Sequence, residues 1–271
     1  MLRDPAVAGQ FYPASASILK KKLAELCPKV KSKKEAIALL LPHAGYMYSG
    51  RVAAATISSV NLKDTFIIIG PNHTGIGLPF SMDTEEIWQT PLGKVEINLV
   101  LAAELLKKSP YLKNDLRAHS YEHSIEVELP FLQYLKCDTS FSFVPIVIGG
   151  GDLDVYKQIG KAIAEAIKEL KLTDRIQIIA SSDMTHYETA EAAKNKDNLA
   201  IAAILKLDAD LLFETVKKEE ITMCGYAPAV IMLSAARALG AKKAELVKYE
   251  NSGDTTGDYS SVVGYAGVTI N

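Results

Sequence analysis

The chain has 271 residues, 48% hydrophobic and 23% charged, with 30 Lys+Arg against 32 Asp+Glu. That composition excludes a disordered polymer, and a formal net charge of −2 argues against a dedicated nucleic-acid binder, which carries a basic footprint. Three cysteines cannot build a disulfide framework, residues 1–9 lack the build of a signal peptide, and no apolar run nears the ~20 residues of a spanning helix, so a cytoplasmic protein without a membrane partner is expected.

In chain order, residues 36–41 read as a buried strand ended by Pro42, and residues 50–60 as a helix whose Ala53, Ala54 and Ala55 suit close packing. Residues 65–70 form an Ile-rich strand. Shorter strands are expected at 77–82 and 94–97, around Trp88 and the turn Thr90-Pro91-Leu92-Gly93. Asn98 caps a helix running to Lys108. A helix follows His123, with Ile125, Leu129, Leu132 and Leu135 at its spacing and Ser120 or Ser124 as its cap. Residues 141–149 are a third long strand, 154–170 an amphipathic helix and 175–181 a fourth strand. Helices are expected at 190–205, after the cap Asp208, and at 225–239. Strands at 244–250 and 262–270 close the chain as antiparallel edge strands. Fully apolar strands between helices indicate a sheet covered on both faces. The expectation is one α/β domain, residues 1–271, with a largely parallel central sheet flanked by helices.

The histidines carry the functional signal. His43 follows the strand 36–41 in Pro42-His43-Ala44-Gly45-Tyr46. His73 follows the strand 65–70 in Gly70-Pro71-Asn72-His73. Asp183 and His186 follow the strand 175–181 in Ser181-Ser182-Asp183-Met184-Thr185-His186. Open α/β sheets bind ligands at the carboxyl ends of their strands, so these side chains converge on one sheet edge. His123, at a helix start, points toward the same edge, whereas His119 reads as a surface histidine. Cys224 directly precedes a helix, a position that stabilises a thiolate. Cys27 and Cys137 read as packing residues, and Gly149-Gly150-Gly151 as a turn rather than a phosphate loop. Imidazoles, a carboxylate and a thiol make a metal site, while a cysteine–histidine pair also suits nucleophilic chemistry.

Pro42-His43-Ala44-Gly45-Tyr46, Gly70-Pro71-Asn72-His73, Glu122-His123-Ser124, Ser182-Asp183-Met184-Thr185-His186 and Cys224-Gly225 stand in the order found in Memo family proteins, and Ala8-Gly9-Gln10-Phe11-Tyr12-Pro13 resembles that family's opening. The resemblance spans essentially the whole chain. It implies a fold similar to that of class III extradiol, non-haem-iron dioxygenases. It implies His43, His73 and Cys224 as metal ligands, Asp183 and His186 as residues lining the same pocket, and His123 as an acid/base group. The implied cofactor is iron, with copper as the alternative. The chain departs from the ring-cleaving enzymes in offering Cys224 where they place a carboxylate, so catechol cleavage is not carried over. The family also implies a small-molecule or peptide ligand and, for prokaryotic members, a link to radical-SAM proteins.

Three readings result. The first is a metal-dependent redox enzyme, oxidase- or dioxygenase-like, with His43, His73 and Cys224 on the ion and His123, His186 and Asp183 as catalytic groups. The second is a binding module for a phosphotyrosine-type peptide or small anion, with a vestigial pocket. The third is a hydrolase with Cys224 as nucleophile and His186 as base.

Overall fold

The structure is a computed structural model and describes residues 2–85, 87–137 and 140–271. Strand β1 (Leu2–Arg3) and helix α1 (Ala16–Leu26) lead into β2 (Ala38–Leu41), α2 (Gly50–Ser58) and β3 (Thr65–Pro71). Then come β4 (Phe80–Met82), the hairpin β5 (Ile87–Thr90) and β6 (Gly93–Ile97), α3 (Leu99–Lys108), β7 (Lys113–Asn114) and α4 (Leu129–Leu135). The second half runs β8 (Ser142–Ile148), α5 (Leu153–Glu169), β9 (Ile176–Ser181), β10 (His186–Glu188), α6 (Ala190–Leu205), α7 (Ala209–Lys218), α8 (Tyr226–Ala238), β11 (Ala244–Asn251), α9 (Gly253–Thr256) and β12 (Val262–Ile270).

The strands form one mixed sheet whose centre, β6-β8-β3-β9-β2, is parallel throughout. Every residue of β2, β3 and β9 is buried, as expected of strands sandwiched between helices. Helix α2 packs on β2, β11 and β12, while α8, against α5, packs on β2, β3 and β9. The expected fold class is the observed one.

Three local readings are corrected. The closing strand β12 is not an edge: it pairs antiparallel with β2, β10 and β11. The segment around Trp88 is itself a strand, β5, paired with β6 across the Thr90–Gly93 turn. Neither Ser120 nor Ser124 caps α4. A 3-10 turn, Glu126–Glu128, precedes that helix, and the Ser124 hydroxyl donates to Pro71 O instead. The caps Asn98 and Asp208 do act, accepting from Leu101 N and Leu211 N.

Register fixes the functional edge. Leu41 of β2 lies opposite Ser181 of β9, and Ile69 of β3 opposite Ala180, so the three strands end level. His43, His73 and Asp183 each stand two residues beyond the end of one of these neighbours.

Candidate metal centre

Two glycines let the strand ends close up. A Cβ on Gly70 would lie 2.3 Å from Ser124 Oγ, and one on Gly225 2.3 Å from Ser181 O. The first brings the His123 loop onto β3, and the second brings Cys224 onto β9.

Hydrogen-bond bookkeeping sets the histidine tautomers. Ser181 Oγ lies 2.6 Å from Ser124 O, to which it can only donate. Its single proton is thus committed, and the 2.8 Å contact with His43 Nδ1 requires that nitrogen to be the donor. His73 Nδ1 lies 2.9 Å from the Glu122 carboxylate. His186 Nδ1 faces the carbonyls of Met184 (2.7 Å) and Thr222 (3.0 Å). All three rings therefore carry Nδ1–H, so Nε2 is the nitrogen left to meet a metal.

His43, His73 and His123 each offer a nitrogen within 4.8 Å of the others. The rings of His73 and His123 stack at 4.6 Å, and His43 stands edge-on to both. Burial lowers His43 well below the imidazole range, and the neighbouring histidines add to the effect. Burial likewise brings His123 down to about 4, against the opposing pull of Glu122. Both are neutral at physiological pH, as ligands must be.

Glu122 organises this loop. Its carboxylate accepts from His73 Nδ1 and from the amides of His73 (2.5 Å), His123 and Ser124 (each 2.9 Å). Burial opposes its charge, but His73 and these amides outweigh it and hold the carboxyl at about 2.

Asp183 Oδ1 accepts from the amides of His43 (2.9 Å) and Ala44 (3.3 Å). Burial raises its carboxyl to about 6, partly offset by His186 and those amides. Cys224 Sγ lies 3.2 Å from His43 Nε2 and accepts from Asp183 N at 3.3 Å. The thiol donates to Asp183 O at 3.6 Å and lies against His43 Nε2. Burial, then the Asp183 carboxylate, push this thiol up, against the lowering expected from its place before α8.

The six residues singled out from the sequence thus meet at one edge. His43, His73, His123, Asp183 and His186 line a single cavity of about 410 Å³ with Gln10, Phe11 and Tyr48. Cys224 borders it through His43. The close group of donors takes in His123, not Cys224. His119 is not a surface residue: it is fully buried against Trp88. Cys137 is exposed rather than packed.

Residues without a sequence-level role also matter. Glu122 and Ser181 orient His73 and His43. Glu126, fully buried, takes an ion pair from Arg3 (2.7 Å) and bonds from Ala6 N, Val7 N and Tyr12 Oη, pinning the N-terminal segment so that Phe11 packs on His123. The signal for Glu122 was its place beside His123 in a turn. Nothing local marks the partners of Glu126, which lie more than 110 residues away.

The set of two or three imidazoles with a neighbouring thiol and carboxylate fits iron, copper or zinc. The family described as "Memo-like protein" matches residues 3–269. A MEMO1 family protein of Methanosarcina acetivorans is 44% identical over 270 residues, covering 99% of both chains. Another, of Aquifex aeolicus, is 44% identical over 271 residues, covering 98% of both. A crystal structure of an uncharacterized protein from Escherichia coli K12 shares the fold, with TM-score 0.57 at 12% identity, covering 86% of this chain and 98% of that one.

Proposed function

The chain belongs to the Memo family, and from that footing and the geometry of its histidines we propose that it is a metal-dependent redox enzyme of oxidase or dioxygenase type. One observation carries the reading: three level, parallel strand ends deliver imidazoles with Nδ1–H and a carboxylate into one cavity. His43 and His73 hold the ion, with Cys224 as third ligand. The 3.2 Å between Cys224 Sγ and His43 Nε2 is close to the span of two ligands on one ion at 2.0–2.3 Å, so these two atoms would hold it together, with Cys224 as the thiolate.

Iron is the proposed ion and copper the alternative; when bound it supplies electron transfer and open positions for substrate and dioxygen. The protein groups handle protons. His186, fixed by two carbonyls, presents Nε2 to the cavity. Asp183, near 6, exchanges a proton close to neutral pH. His123, neutral and flanked by Phe11, stacks on His73 as a further base.

A second ligand set is favoured by one observation: the donor atom of His123 lies within 4.8 Å of those of His43 and His73. Metal analysis after anaerobic purification separates the two. Stoichiometric iron or copper is expected in the wild type and absent from His43→Ala and His73→Ala. Loss in Cys224→Ser with retention in His123→Ala supports the thiolate set, and the converse supports three imidazoles. No bound metal in any preparation sinks the redox reading.

The phosphopeptide reading is poorly served, because the described residues lining the cavity include no Lys or Arg. Hydrolysis through Cys224 is no better served: burial raises the thiol, and its imidazole neighbour is His43 rather than His186.

A further inference from the structure

The cavity over the histidines does not end at them. A second cavity of about 310 Å³ adjoins it, and the two share the walls Tyr48, Tyr187, Val263 and Tyr265. Its remaining walls carry the hydroxyl groups of Ser252, Thr256 and Ser261 and the Asp258 carboxylate, which is already taken up by Ser260 N and Oγ. The lining of both cavities includes no Lys or Arg among the described residues.

Tyr265 stands at the junction. It sits on β12 with only 2% of its surface exposed. Buried tyrosines normally find a partner for the hydroxyl. Among the described residues no hydrogen-bond partner takes up the Tyr265 hydroxyl, and it is not one of the sealed polar atoms, so it opens onto the shared space. Burial and the Asp183 carboxylate push its phenol up, which keeps it an O–H donor.

Tyr187, on the other wall, has φ 61° and is 80% exposed. A left-handed conformation at a bulky residue is held only where the surroundings over-determine it. Here His186 N donates to Thr222 Oγ1 and the ring nitrogen is tied to two carbonyls, while β10 keeps its pairing to β12 on either side. The chain thus sets His186 toward the metal centre and the Tyr187 ring at the rim.

We propose that the two cavities are one elongated substrate groove, in which Tyr265 donates a hydrogen bond to an oxygen of a two-part substrate whose polar head meets the metal centre and whose planar, uncharged body lies between Tyr48 and Tyr187. The substrate class is then an uncharged aryl compound bearing a metal-binding oxygen group and a second, carbonyl-type oxygen. This inference rests on the metal reading for the head alone.

The test uses the full chain loaded with redox-inert zinc, with three hydroxamates titrated by calorimetry. Acetohydroxamate is a head without a body, 4-benzylbenzohydroxamate adds the body, and 4-benzoylbenzohydroxamate adds a carbonyl to the body. Tenfold or tighter binding is expected on adding the body, and a further three- to tenfold on adding the carbonyl. Tyr265→Phe should erase the carbonyl's gain, and Tyr187→Ala the body's, at equal zinc content.

Equal affinities for the three probes, or a carbonyl gain that survives Tyr265→Phe, would overturn the groove. Failure of the metal reading looks different: zinc is not retained and acetohydroxamate does not bind. In that case 4-benzoylbenzamide, which has no metal-binding head, is titrated against the metal-free protein by NMR. Binding weakened by Tyr265→Phe supports the groove, and binding absent or unaffected overturns it.

Discussion

At the scale of single residues, carboxylates hidden behind the histidines decide the site. Glu122 turns the His73 ring and holds three backbone amides, two in its own loop and that of His73. Removing such a partner typically costs 10–100-fold in metal affinity. Glu122→Gln should weaken zinc or iron binding by about that factor with the fold intact, measured by competition with a chromogenic chelator. An unchanged affinity would show that His73 is oriented by something else.

A pH prediction belongs here too. His119 is fully buried away from the cavity lining, and burial first, then Arg3, bring it down to about 4 against the opposing pull of Asp83 and Glu122. The unfolded chain takes up this proton near 6.5, the folded chain only near 4. Between those values the unfolded state binds more protons, so stability present at pH 7 is lost as pH falls, at up to ~1.4 kcal/mol per pH unit for this group. Urea midpoints should decline from pH 6.5 to 4, and less steeply in His119→Leu. Equal slopes would reject the assignment.

The positions of His43, His73 and His186 were legible because each follows a strand that its own sequence announces. The third donor was not. Choosing between His123 and Cys224 depends on angstrom-level loop packing over Gly70 and Gly225, which no local pattern records.

At the scale of elements, strands and helices with their own periodicity and caps were readable: α6 and β12 have the expected bounds, and β3, β9 and α8 differ by a residue or so at their ends. What escaped was imposed from outside. β10 is three residues held by β12, and β5 is ordered by its hairpin and by β1. The expected cap Ser124 is taken up by a tertiary bond to Pro71 O.

The N-terminal segment shows the same dependence. It has little structure of its own and is fastened by the buried Glu126 to Arg3, Ala6, Val7 and Tyr12. Glu126→Ala leaves the Arg3 guanidinium without its counter-charge, a change worth ~3–5 kcal/mol in buried pairs. The expected outcome is a large drop in unfolding free energy, with faster hydrogen exchange in residues 2–12. The cavity wall formed by Gln10 and Phe11 should loosen with it. Retention of slow exchange there would show that apolar packing alone holds the segment.

At the scale of the whole molecule, the candidate site is a product of topology. Its ligands come from loops that meet only when β3, β9 and β2 stand side by side. Ion binding should therefore be linked to global folding. At a free ion concentration one hundred times Kd the gain is ~2.7 kcal/mol, which for a chain of this size raises Tm by roughly 5 °C. Calorimetry with and without zinc should show that shift, reversed by chelator and missing in His43→Ala. A Tm indifferent to the ion would mean that it does not select the native state.

The bond between His43 N and Asp183 Oδ1 spans 140 residues of sequence. An ion held by His43 and Cys224 would clasp stretches farther apart still, 181 residues along the chain. In polymer terms that ion is a removable cross-link closing a very long loop, the role a disulfide plays in secreted proteins. A chain with three unpaired thiols would then draw its long-range covalent restraint from coordination chemistry, and loss of the ion would return that restraint to the chain as slack.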